Sequence, residues 1–144
     1  MPRLFGGNLT VVFRSLFSRE GALTGAPAVR RVKTYSAQCG HVYRYCYQGH
    51  RPFRRGGAAG TEFVFRVSAD HRAWRPAGIR IAGPAVAAWQ KSHQRELSPT
   101  EVYALAKMIL FQAFDEISDP AHMPGHVHAS EAEIEVIALK LGFE

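Results

Sequence analysis

Between Lys33 and Gln48 the chain reads KTYSAQCGHVYRYCYQ, and its side chains sort by parity. Odd positions carry Tyr35, Ala37, Cys39, His41, Tyr43, Tyr45 and Tyr47; even positions carry Ser36, Gln38, Gly40, Val42, Arg44, Cys46 and Gln48. Successive side chains of a strand point to opposite faces, so the alternation predicts strand structure with one richer apolar face. Gly40 marks a bulge or the turn of a hairpin. The same period returns at Thr61–Ser68, with Phe63, Phe65 and Val67 on one face and Glu62, Val64, Arg66 and Ser68 on the other. Ala69–Arg72 then supplies a turn and Ala73–Ile81 a returning strand, in which Pro76, lacking an amide donor, belongs at an edge or bulge. Between the two β regions, Gln48–Gly60 holds four Gly, one Pro and three Arg. That composition predicts an exposed, mobile loop.

After Gly83 the period changes to that of helices. Pro84 suits a first helical position, and Val86, Trp89 and His93 share one face, with Trp89 as a core anchor. Ser98-Pro-Thr-Glu101 is a capping box with Pro at the first turn, and it predicts a helix from Pro99 to Glu116. Val102, Leu105, Ala106, Met108, Ile109, Leu110, Ala113 and Phe114 cover most of its circumference, so it is central to a core or seals an interface. Ser130–Glu133 repeats the capping box before a last helix that buries Ile134, Ile137, Ala138 and Leu141 and ends at Gly142. The elements add up to an α+β domain: a small antiparallel sheet of about four strands, then about three helices packed on one face.

Residues 1–30 read differently. Leu4, Phe5, Leu9, Val11, Val12, Phe13, Leu16 and Phe17 are spread among Arg3, Arg14 and Arg19, before Gly21–Pro27 reads as a linker. This is expected to be a basic, amphipathic, flexible leader, ahead of one domain over 31–144 with a β-rich basic part (31–82) and a helical acidic part (83–144). It lacks the features of a secretory signal, while Arg-rich, acid-poor amphipathy is also how a mitochondrial presequence reads. Cys39 and Cys46, the two cysteines of the chain, fit a reducing, cytoplasmic setting. A disulfide between them would need a turn, which Cys39-Gly40 is able to supply. No apolar run reaches the roughly 18–20 residues of a membrane span. The abundance of Ala, Gly and Arg has the look of a short bacterial protein.

Charge sharpens the picture more than composition does. The 144 residues carry a formal charge of +6. Residues 1–95 hold 16 basic side chains against the acids Glu20, Glu62 and Asp70, whereas residues 96–144 hold nine acids against Lys107 and Lys140. Either the basic part faces an anionic partner, or the acidic helices fold back and cancel it within the domain.

Several candidate sites follow. The tyrosine strand beside the Gly-Arg loop suits nucleic acid, with RNA first: Arg44, Arg51, Arg54, Arg55, Arg66, Arg72 and Arg75 would contact phosphate, and Tyr43, Tyr45 or Tyr47 would stack on bases. The alternative is that the tyrosines pack a sheet face against the helices while the Arg loop stays solvated. His122, His126 and His128 lie near Asp115, Glu116 and Asp119 and are weak metal-ligand candidates, with His126 and His128 on the same side of any strand. Asp70-His71 is a further pair, although Asp is an ordinary turn residue. There is no GxGxxG, GxxxxGK[ST], GxSxG or HExxH, and no cofactor is implied. The leading expectation is therefore a non-enzymatic binding module for RNA or a ribonucleoprotein. The alternatives are a protein-interaction or homo-oligomeric subunit docking through helix 99–116, and a small hydrolase or metal-dependent enzyme using Asp70, His71 and the histidines at 122–128.

Overall fold

The computed structural model describes residues 21–144; the expectation of an amphipathic segment before Gly21 lies outside them. Five strands form one sheet in the order β1–β2–β3–β4–β5: β1 (Lys33–Ser36), β2 (Val42–Arg55), β3 (Ala58–Ser68), β4 (Arg75–Ala82) and β5 (His126–His128). The first four are antiparallel neighbours, and β5 joins parallel to β4. Three helices complete the fold: α1 (Gly83–His93), α2 (Pro99–Glu116) and α3 (Glu131–Lys140). The α+β architecture is as read from the sequence, with the short strand β5 added to the four expected.

The Gly-Arg segment is not a mobile loop. It continues β2 and returns as β3, with Arg51 opposite Glu62, Pro52 opposite Thr61 and Arg55 opposite Ala58. Gly56 and Gly57 make the turn, both at positive φ (57° and 84°), which glycine adopts without steric cost. Pro52 is tolerated because β1 pairs with β2 only from Val42 to Tyr45. On the outer edge of β2 beyond that point, the one pairing among the described residues is the Thr24–His50 bridge. A bulge between Tyr47 and Gly49 adds one residue, Gln48, and moves the inward set from odd to even positions.

The odd-numbered tyrosines face the helices. Tyr43 stacks on Phe114 at 4.1 Å, Tyr35 stacks on Phe111 at 4.3 Å, and Tyr45 meets Phe111 edge-on at 5.3 Å. Phe65, Ile79, Leu105, Ala106, Leu110 and Phe114 are fully buried in the same layer. Burial of this size stabilises by roughly 1.5–3 kcal/mol per large side chain. Both capping boxes form, Ser98 with Glu101 and Ser130 with Glu133. Asp115, which the helix dipole disfavours at the C-terminal end of α2, accepts hydrogen bonds from Tyr35 Oη at 2.7 Å and Gln38 N at 2.9 Å. It thereby ties α2 to β1. The two cysteines are free, Cys39 exposed and Cys46 buried.

Candidate nucleic-acid interface

The face of the sheet turned away from the three helices carries Arg44, Cys46, Arg51, Phe53 and Arg55 from β2. From β3 come Glu62, Val64, Arg66 and Ser68, from β4 Arg80, and from β5 His126 and His128. Trp74, just before β4, lies between Arg44 and Arg66, each guanidinium 5.5 Å from its ring centroid. That distance is within cation–π range.

Glu62 is the organising acid of this face. Its carboxylate is 1% exposed and accepts from Arg51 Nε at 2.9 Å through Oε1 and from Arg80 Nε at 2.9 Å through Oε2. His126 Nδ1 lies 2.6 Å from the same Oε2. The backbone opposite makes room: a Cβ on Gly78 would stand 2.2 Å from Oε2, so glycine is required there on packing grounds. Burial alone would raise the Glu62 pKa. The hydrogen bonds from Arg51 and Arg80, the Arg80 charge and the His126 contact outweigh burial and hold it below its ordinary value.

Around this centre lies a groove of about 400 Å³ lined by Arg51, Pro52, Phe53, Arg54, Glu62 and Arg80, among others. The Arg80 guanidinium sits 5.2 Å from the Phe53 ring centroid, and the His128 ring meets Phe53 edge-on at 6.2 Å. Arg55 donates to His128 Nε2, so this nitrogen keeps its lone pair. Burial first, then the charges of Arg55 and Arg80, push the His128 pKa down.

The expected roles are partly redistributed. Tyr43 and Tyr45 are 1% and 6% exposed beneath α2 and present no ring for a base to stack on; of the two expectations for these tyrosines, packing against the helices holds and base stacking does not. Tyr47 is half-buried against Phe65 and Tyr103. Among the described residues, Trp74 and Phe53 are the rings that meet arginines on that face. Of the seven arginines, Arg44, Arg51, Arg55 and Arg66 lie on that face, Arg54 is exposed at the hairpin end and Arg72 is exposed in the β3–β4 turn. Arg75 points to the other side, where it donates to Pro120 O at 3.1 Å and Ala121 O at 3.4 Å.

The three histidines do not converge. His122 is 3.8 Å from Asp119, whereas His126 holds Glu62 and His128 meets Arg55. Among the described residues no group of three His, Cys, Asp or Glu is placed to hold a metal ion. Asp70 accepts from Arg72 N and Ala73 N at 2.9 Å each, a turn-closing role, and no bond joins it to His71. The apolar face of α2 is spent inside the fold, with Leu105, Ala106, Ile109, Leu110, Ala113 and Phe114 buried. Val102, Tyr103, Met108 and Phe111 of the same helix remain half-buried.

The sequence pattern did not single out Glu62, Phe53 and Trp74 as binding residues of this face. Alternation placed Glu62 and Arg66 on one face, but the bulge at Gln48, which brings Arg51 and Phe53 to that same face, leaves no mark in the period of the hydrophobic residues. Among the described residues no helix is long and apolar enough to cross a membrane. No known family model matches the chain, and neither the curated proteins nor the solved structures contain a significant match to it.

Proposed function

We infer that this chain is a nucleic-acid-binding protein, directed to RNA or a ribonucleoprotein, that presents the arginine face of its sheet to the phosphate backbone. The observation that carries this reading is the separation of charge between layers. Four of the nine acids of the C-terminal part are engaged in the helix layer: Glu101 with Arg95 at 2.6 Å, Glu135 with His93 at 2.7 Å, Asp115 with Tyr35, and Glu133 in its capping box. None of them forms an ion pair with Arg44, Arg54, Arg55 or Arg66. Guanidinium forks match phosphate oxygens in pairs. Half-buried Trp74 and Phe53, each beside arginine, give bases a surface on which to stack. The acidic helices do fold back on the sheet, but behind it.

Binding of a fluorescent single-stranded RNA should weaken steeply with salt, with a log–log slope of about −0.7 per phosphate contacted. The double variant Arg44→Gln/Arg66→Gln should reduce that slope and lower affinity at 50 mM salt. Absence of binding at low salt, or an unchanged slope in the double variant, would overturn the reading.

A further inference from the structure

We propose that the arginine face cleaves RNA as well as binding it, with His126 as the general base that removes the proton from a ribose 2′-hydroxyl and Glu62 as the residue that positions it. The inference rests on the RNA-binding reading above and adds a chemical step to it.

The geometry of His126 carries the argument. Its ring is 41% exposed, while the carboxylate it touches is 1% exposed. A carboxylate only accepts, so the hydrogen of the 2.6 Å contact is on Nδ1. Nε2, on the far side of the ring from Glu62, is then the nitrogen that carries the lone pair in the neutral imidazole. A base aimed by a buried third group is the arrangement that activates nucleophiles generally. The orientation is fixed from several elements at once: Glu62 from β3, Arg51 on β2 and Arg80 on β4 as its other partners, and His128 two residues along β5. A structural ion pair between β3 and β4 needs no exposed imidazole on its outer side.

The surroundings select the substrate. Arg54 and Arg80 line the groove beside Glu62, and Arg55 meets His128 on the same sheet face; this cluster suits a phosphodiester, whose charge grows to two negative charges on the way to the transition state. Among the described residues no serine, threonine or cysteine side chain is bonded to His126, so the nucleophile comes with the substrate. In RNA it is the 2′-oxygen adjacent to the phosphate; DNA has none. His126 Nε2 takes the 2′-proton, the 2′-oxygen bonds to phosphorus and the bond from phosphorus to the 5′-oxygen breaks. The departing oxygen takes a proton from water, and the imidazolium returns its own to the hydroxide that remains. The products are a 2′,3′-cyclic phosphate and a 5′-hydroxyl end. No metal ion or other co-reactant enters the balance.

The test uses the full chain in EDTA with two oligonucleotides, one all-DNA and one with a single ribonucleotide at a known position. The expected result is a cut at the ribonucleotide alone, leaving a 2′,3′-cyclic phosphate. His126→Gln, at an exposed position, should lower the rate about 10²–10⁴-fold, the range of general-base contributions, with RNA affinity within threefold of the parent. Glu62→Gln should lower the rate and shift its pH profile, a change that loss of packing alone does not produce. RNA bound but left intact overturns the inference while the binding reading survives; no binding removes both. Cutting undiminished in His126→Gln, or equal cutting of the all-DNA strand, also overturns it.

Discussion

As pH falls, Glu62 resists protonation, because the guanidinium partners that hold its pKa below the ordinary value outweigh the burial that would raise it. The sign follows directly. A carboxyl with a depressed native pKa binds fewer protons when folded, so its stabilisation is complete above the ordinary glutamate range and is lost as pH falls through the native value. In Glu62→Gln this acid-sensitive part should vanish, and denaturant titrations from pH 7 to pH 3 should show a shallower loss of stability than in the parent. Parallel curves would show that the carboxylate does not drive acid unfolding. At pH 7 the same substitution leaves two arginines without their anion. Their side chains are 15% and 19% exposed and can turn to water, so the cost belongs at the lower end of the roughly 3–5 kcal/mol for breaking a buried pair.

The element that decides which residues reach Glu62 is β2, through its bulge. Up to Cys46 the even positions face away from the helices; from Gly49 onward the odd positions do. Gln48 is the extra residue. Deleting it should heal the bulge without turning any neighbouring side chain, so Arg51 still meets Glu62 and RNA affinity stays close to that of the parent, as melting curves and binding titrations would show. A lost fold or lost binding would mean that the local twist of the bulge, not only its count, is needed. The contrast with the helices explains what was legible beforehand. Ser98–Glu101 and Ser130–Glu133 are local patterns in which the capping partners lie three residues apart, and the boundaries of α2 fell where the sequence put them. The tyrosine alternation likewise fixed which side chains travel together, but not which of the two faces the helices would cover. That choice depends on Phe111 and Phe114 meeting Tyr35 and Tyr43 across more than 70 residues of chain. β5 was illegible for a similar reason: three residues acquire strand character only from pairing with Gly78, Ile79 and Arg80.

Among the described residues, the charges are spread over two layers of opposite character rather than averaged. An anionic strand approaching the sheet side meets guanidinium groups first, while the acids of α2 and α3 lie behind the sheet. Neutralising two of them, in Glu116→Gln/Glu131→Gln, should therefore leave RNA affinity within about threefold at 150 mM salt, where the screening length is about 8 Å. A larger gain would show that the acidic layer reaches across the sheet and tempers binding. Trp74 fluorescence offers a direct view of the same side, because a strand lying over Arg44 and Arg66 cannot avoid that indole.

The outer margin of β2 has a consequence of a different kind. Between Arg51 and Arg55 its backbone has no neighbouring strand among the described residues, and such a margin is a template on which a second chain can build a sheet. Pro52 withholds a donor there, and Arg54 and Arg55, exposed at the hairpin end, keep like-charged copies apart. The repulsion lasts only while those charges stand uncompensated. A short polyanion that covers them without filling the sheet face would remove the guard and leave a proline as the principal defence against self-association.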